Sequence, residues 1–104
     1  MNKDLPLEKD FQRVVLKKLR LIPRSWFEKW NDRTTIGLPD IVGSCGGTFV
    51  AIELKTRSKL TKIQAYTLKK IGVTGAQSFV VTPDNWDEVY AFLLELSQTP
   101  VPIE

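Results

Sequence analysis

Apolar residues near the start of the chain recur at steps of three and four, the spacing of one face of an α-helix. Pro6 suits the first helical turn, where its missing N–H is not needed, and Pro23 cannot continue a helix. We therefore predict a first helix from Pro6 to about Leu21, with Glu8 in its first turn at the edge of the buried stripe. The members of that stripe are Leu7, Phe11, Val14, Val15, Leu19 and Ile22.

Strict alternation from Ser25 to Asn31 predicts a first strand, because successive side chains of a strand point to opposite faces. Trp26, Glu28 and Trp30 share one of these faces. The tryptophans could pack in the core, pair two subunits or stack on bases, and the core is the first choice among these.

Gly46-Gly47 lies between two apolar runs and signals a two-residue hairpin, since both central positions of such a turn favour φ > 0. The turn pairs Cys45 with Thr48, and the same register carried onward brings Asp40 opposite Glu53. Lys55 lies two residues beyond Glu53 and therefore points the same way.

The second half of the chain predicts a helix, a strand and a further helix. Thr61 can cap a helix that runs to about Ile71, and Gln64 lies on its apolar stripe. Residues 77–82 form a strand parallel to the Glu53 strand, because a helix joins the two. The last helix starts at Pro83-Asp84, with Asp84 as its cap; its apolar face is formed by Trp86, Val89, Tyr90, Leu93 and Leu94.

These elements predict an α/β fold in the order α-β-β-β-α-β-α, with a mixed sheet flanked by helices. At 104 residues the chain is long enough for one domain, spanning residues 1–104. We find no apolar run of membrane-spanning length and no signal peptide, and therefore expect an intracellular, cytoplasmic protein.

The absence of histidine narrows the chemistry more than any other compositional feature. It excludes Ser-His-Asp and Cys-His nucleophilic sites and ordinary catalytic zinc sites. The single cysteine, Cys45, cannot form an internal disulfide, and we interpret it as incidental. A net charge of +3 suits a polyanionic partner without requiring one.

Asp40 and Glu53 would repel each other across the hairpin, because like charges on paired residues destabilise a sheet. A divalent cation between them would reverse that balance, since Mg²⁺ is bound by one or two carboxylates together with water and phosphate oxygens. The alternative interpretation is a solvated polar strand face on which two charges coincide.

The residues Gly37-Leu38-Pro39-Asp40, then Glu53-Leu54-Lys55, then a helix with Gln64, resemble the PD-(D/E)xK nuclease superfamily. More narrowly, they are similar to the small stand-alone members of the VRR-NUC family. The resemblance runs from about Leu7 to the end of the second long helix. It implies a restriction-endonuclease-like core and metal-dependent cleavage of DNA with Mg²⁺ or Mn²⁺.

The resemblance implies an active site formed by Asp40, Glu53, Lys55 and Gln64. Gln64 would help to orient Lys55 or the phosphate; the alternative is a core hydrogen bond from its amide to the backbone. Lys55 should stay charged and stabilise the transition state, because an ammonium beside carboxylates is a poor base.

The expected metal ligands are Asp40 and Glu53, with the carbonyl of Leu54 as a third and, by resemblance, Glu8 as the outer ligand. An alternative for Glu8 is simple stabilisation near the positive N-terminus of its helix. Candidate nucleic-acid contacts lie in the basic loop after Glu53 and on the helix that follows: Arg57, Lys59, Lys62 and Tyr66.

Related stand-alone VRR-NUC proteins imply a homodimer that cuts branched DNA in the manner of a Holliday-junction resolvase. Three alternatives stay open from the residues. They are a nicking or flap-type endonuclease with little structural preference, a non-catalytic DNA-binding module, and a small metal-binding interaction protein.

Overall fold

A computed structural model describes residues 5–30, 32 and 34–100 of the chain. It contains three helices and a four-stranded mixed sheet, which confirms the α/β class, and the elements follow one another in the order that the sequence predicts. They are α1 (Glu8–Leu19), β1 (Ser25–Lys29), β2 (Ile41–Cys45), β3 (Thr48–Leu54), α2 (Lys62–Gly72), β4 (Gln77–Val81) and α3 (Trp86–Leu96).

The strands lie in the order β1-β2-β3-β4, antiparallel from β1 to β3 and parallel between β3 and β4. The predicted hairpin register is confirmed, since Cys45 pairs with Thr48 and the ladder continues to the Ile41–Ile52 pair. Gly46 and Gly47 have φ of 57° and 88°, as a two-residue hairpin turn requires. Asp40 thus lies one residue beyond the last ladder pair, at the same end of the sheet as Glu53.

One face of the sheet carries the main core, into which β3 contributes Val50, Ile52 and Leu54. Helices α1 and α3 supply the other side of this core. Cys45 is buried there, its thiol donates to the Leu93 carbonyl oxygen at 3.2 Å, and burial raises the pKa of the thiol. The helix residues in the core are Phe11, Val15, Leu19, Trp86, Val89 and Leu93.

The first helix is shorter than predicted and buries a narrower stripe. It begins at Glu8, with Leu7 as its N-cap residue, and both Leu7 and Val14 are exposed. The buried positions Phe11, Val15 and Leu19 are spaced by four, so α1 contacts the sheet along a single row and Val14 lies at its flank.

The prediction that Trp26 and Trp30 pack in the core is wrong. Their side chains are 62% and 40% exposed, whereas Phe27 between them is 1% exposed. The reason is that α1 and α3 cover the sheet face on which Phe27 lies, and the tryptophans belong to the opposite face. Asn31, the end of the predicted strand, lies outside the described residues.

The prediction that Asp84 caps α3 is also wrong, because the helix begins at Trp86 with Asn85 as its N-cap residue. The Asn85 side chain does not cap the helix and instead forms hydrogen bonds within the preceding turn. Its Oδ1 accepts from the Thr82 N–H at 2.8 Å, and its Nδ2 donates to the Val80 carbonyl oxygen at 2.9 Å.

Helix α2 lies on the second face of the sheet, over β3 and β4. The Ser78 hydroxyl of β4 donates to the Leu68 carbonyl oxygen at 2.9 Å. At the other end of the helix, Gly37 approaches so closely that an added Cβ would lie 2.9 Å from a side-chain carbon of Ile63. Across the described residues, no helix is both long and apolar enough to cross a membrane.

Candidate functional site

Asp40 is positioned at the site by a stiff bend in the chain and by a backbone hydrogen bond just beyond the paired ends of β1 and β2. Gly37 has φ of 87°, which favours glycine, and Pro39 is fully buried. The carbonyl oxygen of Asp40 accepts from the Trp30 N–H at 2.9 Å. Its side-chain Oδ2 accepts from the Leu54 N–H at 2.8 Å, so the carboxylate reaches across to the end of β3.

Glu53 is the buried carboxylate of the site, with only 2% of its surface exposed. Two side chains contact its Oε2 atom. The Gln64 amide donates to it at 2.9 Å, and the Lys55 ammonium nitrogen lies 3.6 Å away. The predicted group of Asp40, Glu53, Lys55 and Gln64 is therefore assembled at one end of the sheet.

The surroundings of Glu53 disfavour its charged form. Burial, and then repulsion from Asp40 and more weakly from Glu8, raise the pKa of Glu53 to about 7, and Lys55 only partly offsets this rise. A carboxyl group with a pKa near neutrality and a second carboxylate nearby is a common feature of functional sites. The positive charge of Lys55 does not balance the negative charges around Glu53, and a bound cation would add positive charge to the site.

Gln64 contacts both the backbone of its own helix turn and the side chain of Glu53. Its Oε1 accepts from the Thr61 backbone N–H at 2.9 Å while the Thr61 hydroxyl accepts from the Gln64 N–H at 3.2 Å, forming a capping box. Its Nε2 is left to bind Glu53. The Thr-x-x-Gln spacing from Thr61 to Gln64 could have revealed the capping box from the sequence.

Glu8 acts on Glu53 more weakly than Asp40 does. It is half-buried in the first turn of α1, and its charge acts on Glu53 through repulsion. In the described part of the chain, no three His, Cys, Asp or Glu side chains lie close enough together to hold a metal ion. Two carboxylates, Asp40 and Glu53, thus form the inner part of the site.

The donor set fits a hard divalent cation. The N–H and C=O of one strand residue point to the same edge of the strand, so the Leu54 carbonyl faces the side from which Asp40 binds the Leu54 N–H. Asp40, Glu53 and this carbonyl oxygen supply oxygen atoms, which Mg²⁺ and Mn²⁺ prefer. Such a cation would stabilise the charged form of Glu53, which burial and Asp40 disfavour.

The side chains that were predicted to contact nucleic acid differ in how free they are to reach a ligand. Arg57 donates to the Leu5 carbonyl oxygen at 2.5 Å and so ties its loop to the segment before α1. Lys59 and Lys62 are exposed. Tyr66 is 61% exposed, and the Lys70 nitrogen lies 5.8 Å from the centre of its ring.

Comparisons of this chain with protein-family models, with characterised proteins and with solved structures gave no match. The functional argument therefore depends on the side chains and their arrangement.

Proposed function

We propose that this protein is a metal-dependent endonuclease that hydrolyses DNA phosphodiester bonds. The proposal includes a restriction-endonuclease-like fold, a homodimeric state and a preference for branched DNA of the Holliday-junction type. These finer points rest on the motif resemblance, whereas the site geometry supports the metal-dependent chemistry.

One observation carries the proposal. Glu53 is buried at the end of β3, faces repulsion from Asp40, and has Lys55 and Gln64 on the same carboxylate oxygen. A structural role explains this arrangement poorly, because burying a carboxylate beside another one costs free energy that an apolar residue would not. A site for a cation and a phosphate explains all four side chains together.

Asp40, Glu53 and the Leu54 carbonyl are the groups that would hold Mg²⁺ or Mn²⁺, with Glu8 as an outer carboxylate. When bound, such an ion lowers the pKa of an attacking water and offsets the charge on phosphate oxygens. Gln64 is a positioning residue, since its amide fixes the orientation of the Glu53 carboxylate.

Lys55 supplies a positive side chain in contact with Glu53, and only 11% of its side chain is exposed. An ammonium in this position can donate to a phosphate oxygen and stabilise the charge that develops there during cleavage. The neighbouring carboxylate makes it a poor base. We therefore assign Lys55 to transition-state stabilisation and not to proton abstraction.

DNA is the proposed substrate because the surroundings of the site are basic. The chain carries a net charge of +3, the loop after Lys55 contains Arg57 and Lys59, and α2 has no acidic residue in its first turn. Basic side chains beside a groove favour a polyanion through release of its counterions.

A dimer is proposed because a chain of this size offers one site, and resolving a four-way junction requires two symmetric cuts. Two copies related by a two-fold axis would present two such sites to a substrate that is itself two-fold symmetric.

The test is cleavage of end-labelled four-way junction, flap and plain duplex DNA, each in Mg²⁺, in Mn²⁺ and in EDTA. We expect paired symmetric cuts in the junction, with none in EDTA. Equal cutting of all three substrates would replace the branched-DNA preference with a nicking or flap-type activity. Binding without any cutting would favour a non-catalytic DNA-binding module and overturn the enzyme assignment.

A further inference from the structure

A row of side chains crosses the α2 face of the sheet beyond the region that α2 covers. Trp26 pairs with Ser44, and Ser44 pairs with Phe49, so the three side chains lie side by side on that face. Trp26 is 62% exposed and Phe49 is 45% exposed. At ~4.8 Å between strands, the two aromatic residues stand about 10 Å apart with only a serine between them.

Phe49 also forms one wall of a groove whose other wall is α2. The groove has a volume of about 420 Å³, within the ~300–1,000 Å³ typical of small-ligand sites. Its lining residues are Phe49, Tyr66, Thr67, Lys70, Ile71 and Thr74. Lys69 lies beside Tyr66 in an adjoining depression of the same helix. We refer to Phe49, Tyr66 and Lys70, which line this groove, together with Trp26 beside it on β1, as the aromatic groove.

The charge around the aromatic groove is positive. Helix α2 contains Lys62, Lys69 and Lys70 and no acidic residue. On the same sheet face, Glu28 is neutralised by Arg20, whose Nη2 donates to its carboxylate at 2.6 Å. Exposed aromatic rings interleaved with lysines are the pattern of surfaces that bind single-stranded nucleic acid.

We infer that the aromatic groove binds unpaired bases of single-stranded DNA, by stacking on Phe49, Tyr66 and Trp26 while Lys70 contacts the phosphates. The inference extends the proposed function, because it names the DNA element that this surface recognises. Base–aromatic stacking tolerates any sequence, and an exposed sheet face is a surface on which bases stack in other nucleic-acid-binding folds.

A second copy of the chain fits this surface less well. In a two-fold symmetric contact the same patch lies on both subunits, so the lysines of one α2 would face those of the other. The positive charge that opposes self-association favours a polyanion.

The aromatic groove and the proposed active site share one face of the sheet. Phe49 and Glu53 are both on β3, four residues apart, which is about 13 Å along the strand. At ~3.4 Å per nucleotide of a stacked strand, this is about four nucleotides. A strand with its phosphate at Glu53 and Lys55 would therefore place bases in the groove about four nucleotides away.

The experiment measures binding by fluorescence anisotropy in EDTA, where metal-dependent cleavage cannot interfere. The probes are labelled oligothymidylate and an abasic oligomer of the same length and charge. We expect the abasic oligomer to bind at least about ten-fold more weakly. Tyr66→Ala and Phe49→Ala should each weaken oligothymidylate binding by about 5- to 150-fold, the usual range for loss of one stacked base.

Phe92→Ala is the matched control, because Phe92 is a 40%-exposed phenylalanine of α3, packed on Phe79 at the opposite face of the sheet. It should bind like wild type, and Tyr66→Phe should retain affinity because the ring remains. Circular dichroism melting confirms that each variant is folded.

Equal binding of the two probes, or wild-type affinity in both alanine variants, would overturn the inference. So would a change of oligomeric state in these variants with unaltered DNA affinity, which would assign the surface to a second copy. The readout requires no catalysis, so failure of the nuclease proposal leaves a separate signature: base-dependent binding without cleavage in Mg²⁺.

Discussion

Glu53 is the residue at which stability and the proposed function make opposite demands. Its carboxylate is buried, and burial together with Asp40 raises its pKa to about 7. Near neutral pH the metal-free protein therefore holds Glu53 partly as the acid and partly as the anion. A bound cation would favour the anion, which is the form that the proposed chemistry uses.

The free energy of unfolding in EDTA should fall as the pH rises through the interval between the unfolded and folded pKa values of Glu53. The ordinary glutamate pKa is 4.5 and the folded value is about 7, so the folded state binds the extra proton between them. The stability that Glu53 contributes is then fully present below about pH 4.5 and is lost by about pH 7–8, a change of about 3 kcal/mol. Urea unfolding followed by tryptophan fluorescence measures it.

Glu53→Gln should remove this pH dependence, because the amide does not titrate. Glu95→Gln, an exposed position on α3, is the matched control and should leave the slope unchanged. Mg²⁺ should stabilise wild type more at pH 8 than at pH 6, since cation and proton compete for the same carboxylate. A slope that persists in Glu53→Gln would show that another group is responsible.

Lys55→Ala should lower the cleavage rate by about 10²–10³-fold, the usual cost of losing one donor to the developing charge. The helix content should stay the same, since Lys55 lies between β3 and α2 and belongs to no helix. Single-turnover cleavage and circular dichroism make the two measurements. A variant that cuts at the wild-type rate would remove Lys55 from the active site.

Helix α2 contributes both to the stability of the protein and to the proposed site, because Gln64 caps the helix and also binds Glu53. Gln64→Glu keeps the capping box, in which glutamate serves as well as glutamine, but loses the amide donor and adds a third carboxylate beside Glu53. Cleavage should fall at least ten-fold with the helix intact.

Thr61→Ala is the complementary change. It removes the hydroxyl that accepts from the Gln64 N–H but leaves the Gln64–Glu53 bond. Stability should fall by about 1 kcal/mol while cleavage is retained. Thermal melting and the cleavage rate of Gln64→Glu and Thr61→Ala separate the capping of α2 from the hydrogen bond to Glu53. An equal loss of activity in the two variants would show that the site depends only on the position of α2.

The hairpin between β2 and β3 sets the register that brings Asp40 to Glu53. Gly46 has φ of 57°, and an added Cβ would collide with the Leu96 carbonyl oxygen at the end of α3. Gly75 is the matched control, since its φ is 98° but nothing lies within 4 Å of an added Cβ.

Gly75→Ala should cost about 1–2 kcal/mol, the penalty of the left-handed conformation alone. Gly46→Ala should cost at least about 1 kcal/mol more, because the backbone of α3 must also move. Urea unfolding compares the two. Equal losses would mean that the turn does not depend on its contact with α3.

For the whole molecule, the sequence carried the order of elements, the hairpin register and, through that register, the grouping of Asp40, Glu53 and Lys55. These follow from local signals, namely apolar periodicity and a Gly-Gly turn. The place of Gln64 beside them was implied by the motif resemblance. The burial of individual strand residues was not predicted, because it depends on which face of the sheet each helix covers. Strand alternation separates Trp26 from Phe27 but does not say which side receives α1 and α3.

The double role of Gln64 escaped prediction for a related reason. It depends on how the first turn of α2 approaches the end of β3, and that approach is set by tertiary packing. The Asn85 side chain was missed because it fastens the turn to Val80 and Thr82 instead of capping its own helix.

The most direct test of the central claim is the single-turnover rate of strand cleavage in Mg²⁺, with branched DNA as substrate. Wild type, Asp40→Asn, Glu53→Gln and the control Glu95→Gln are compared. We predict metal-dependent cutting by wild type and Glu95→Gln, and a loss of at least about 10²-fold in the two site variants. Undiminished cutting by Asp40→Asn and Glu53→Gln would contradict the proposed site, and no cutting by wild type would contradict the nuclease assignment.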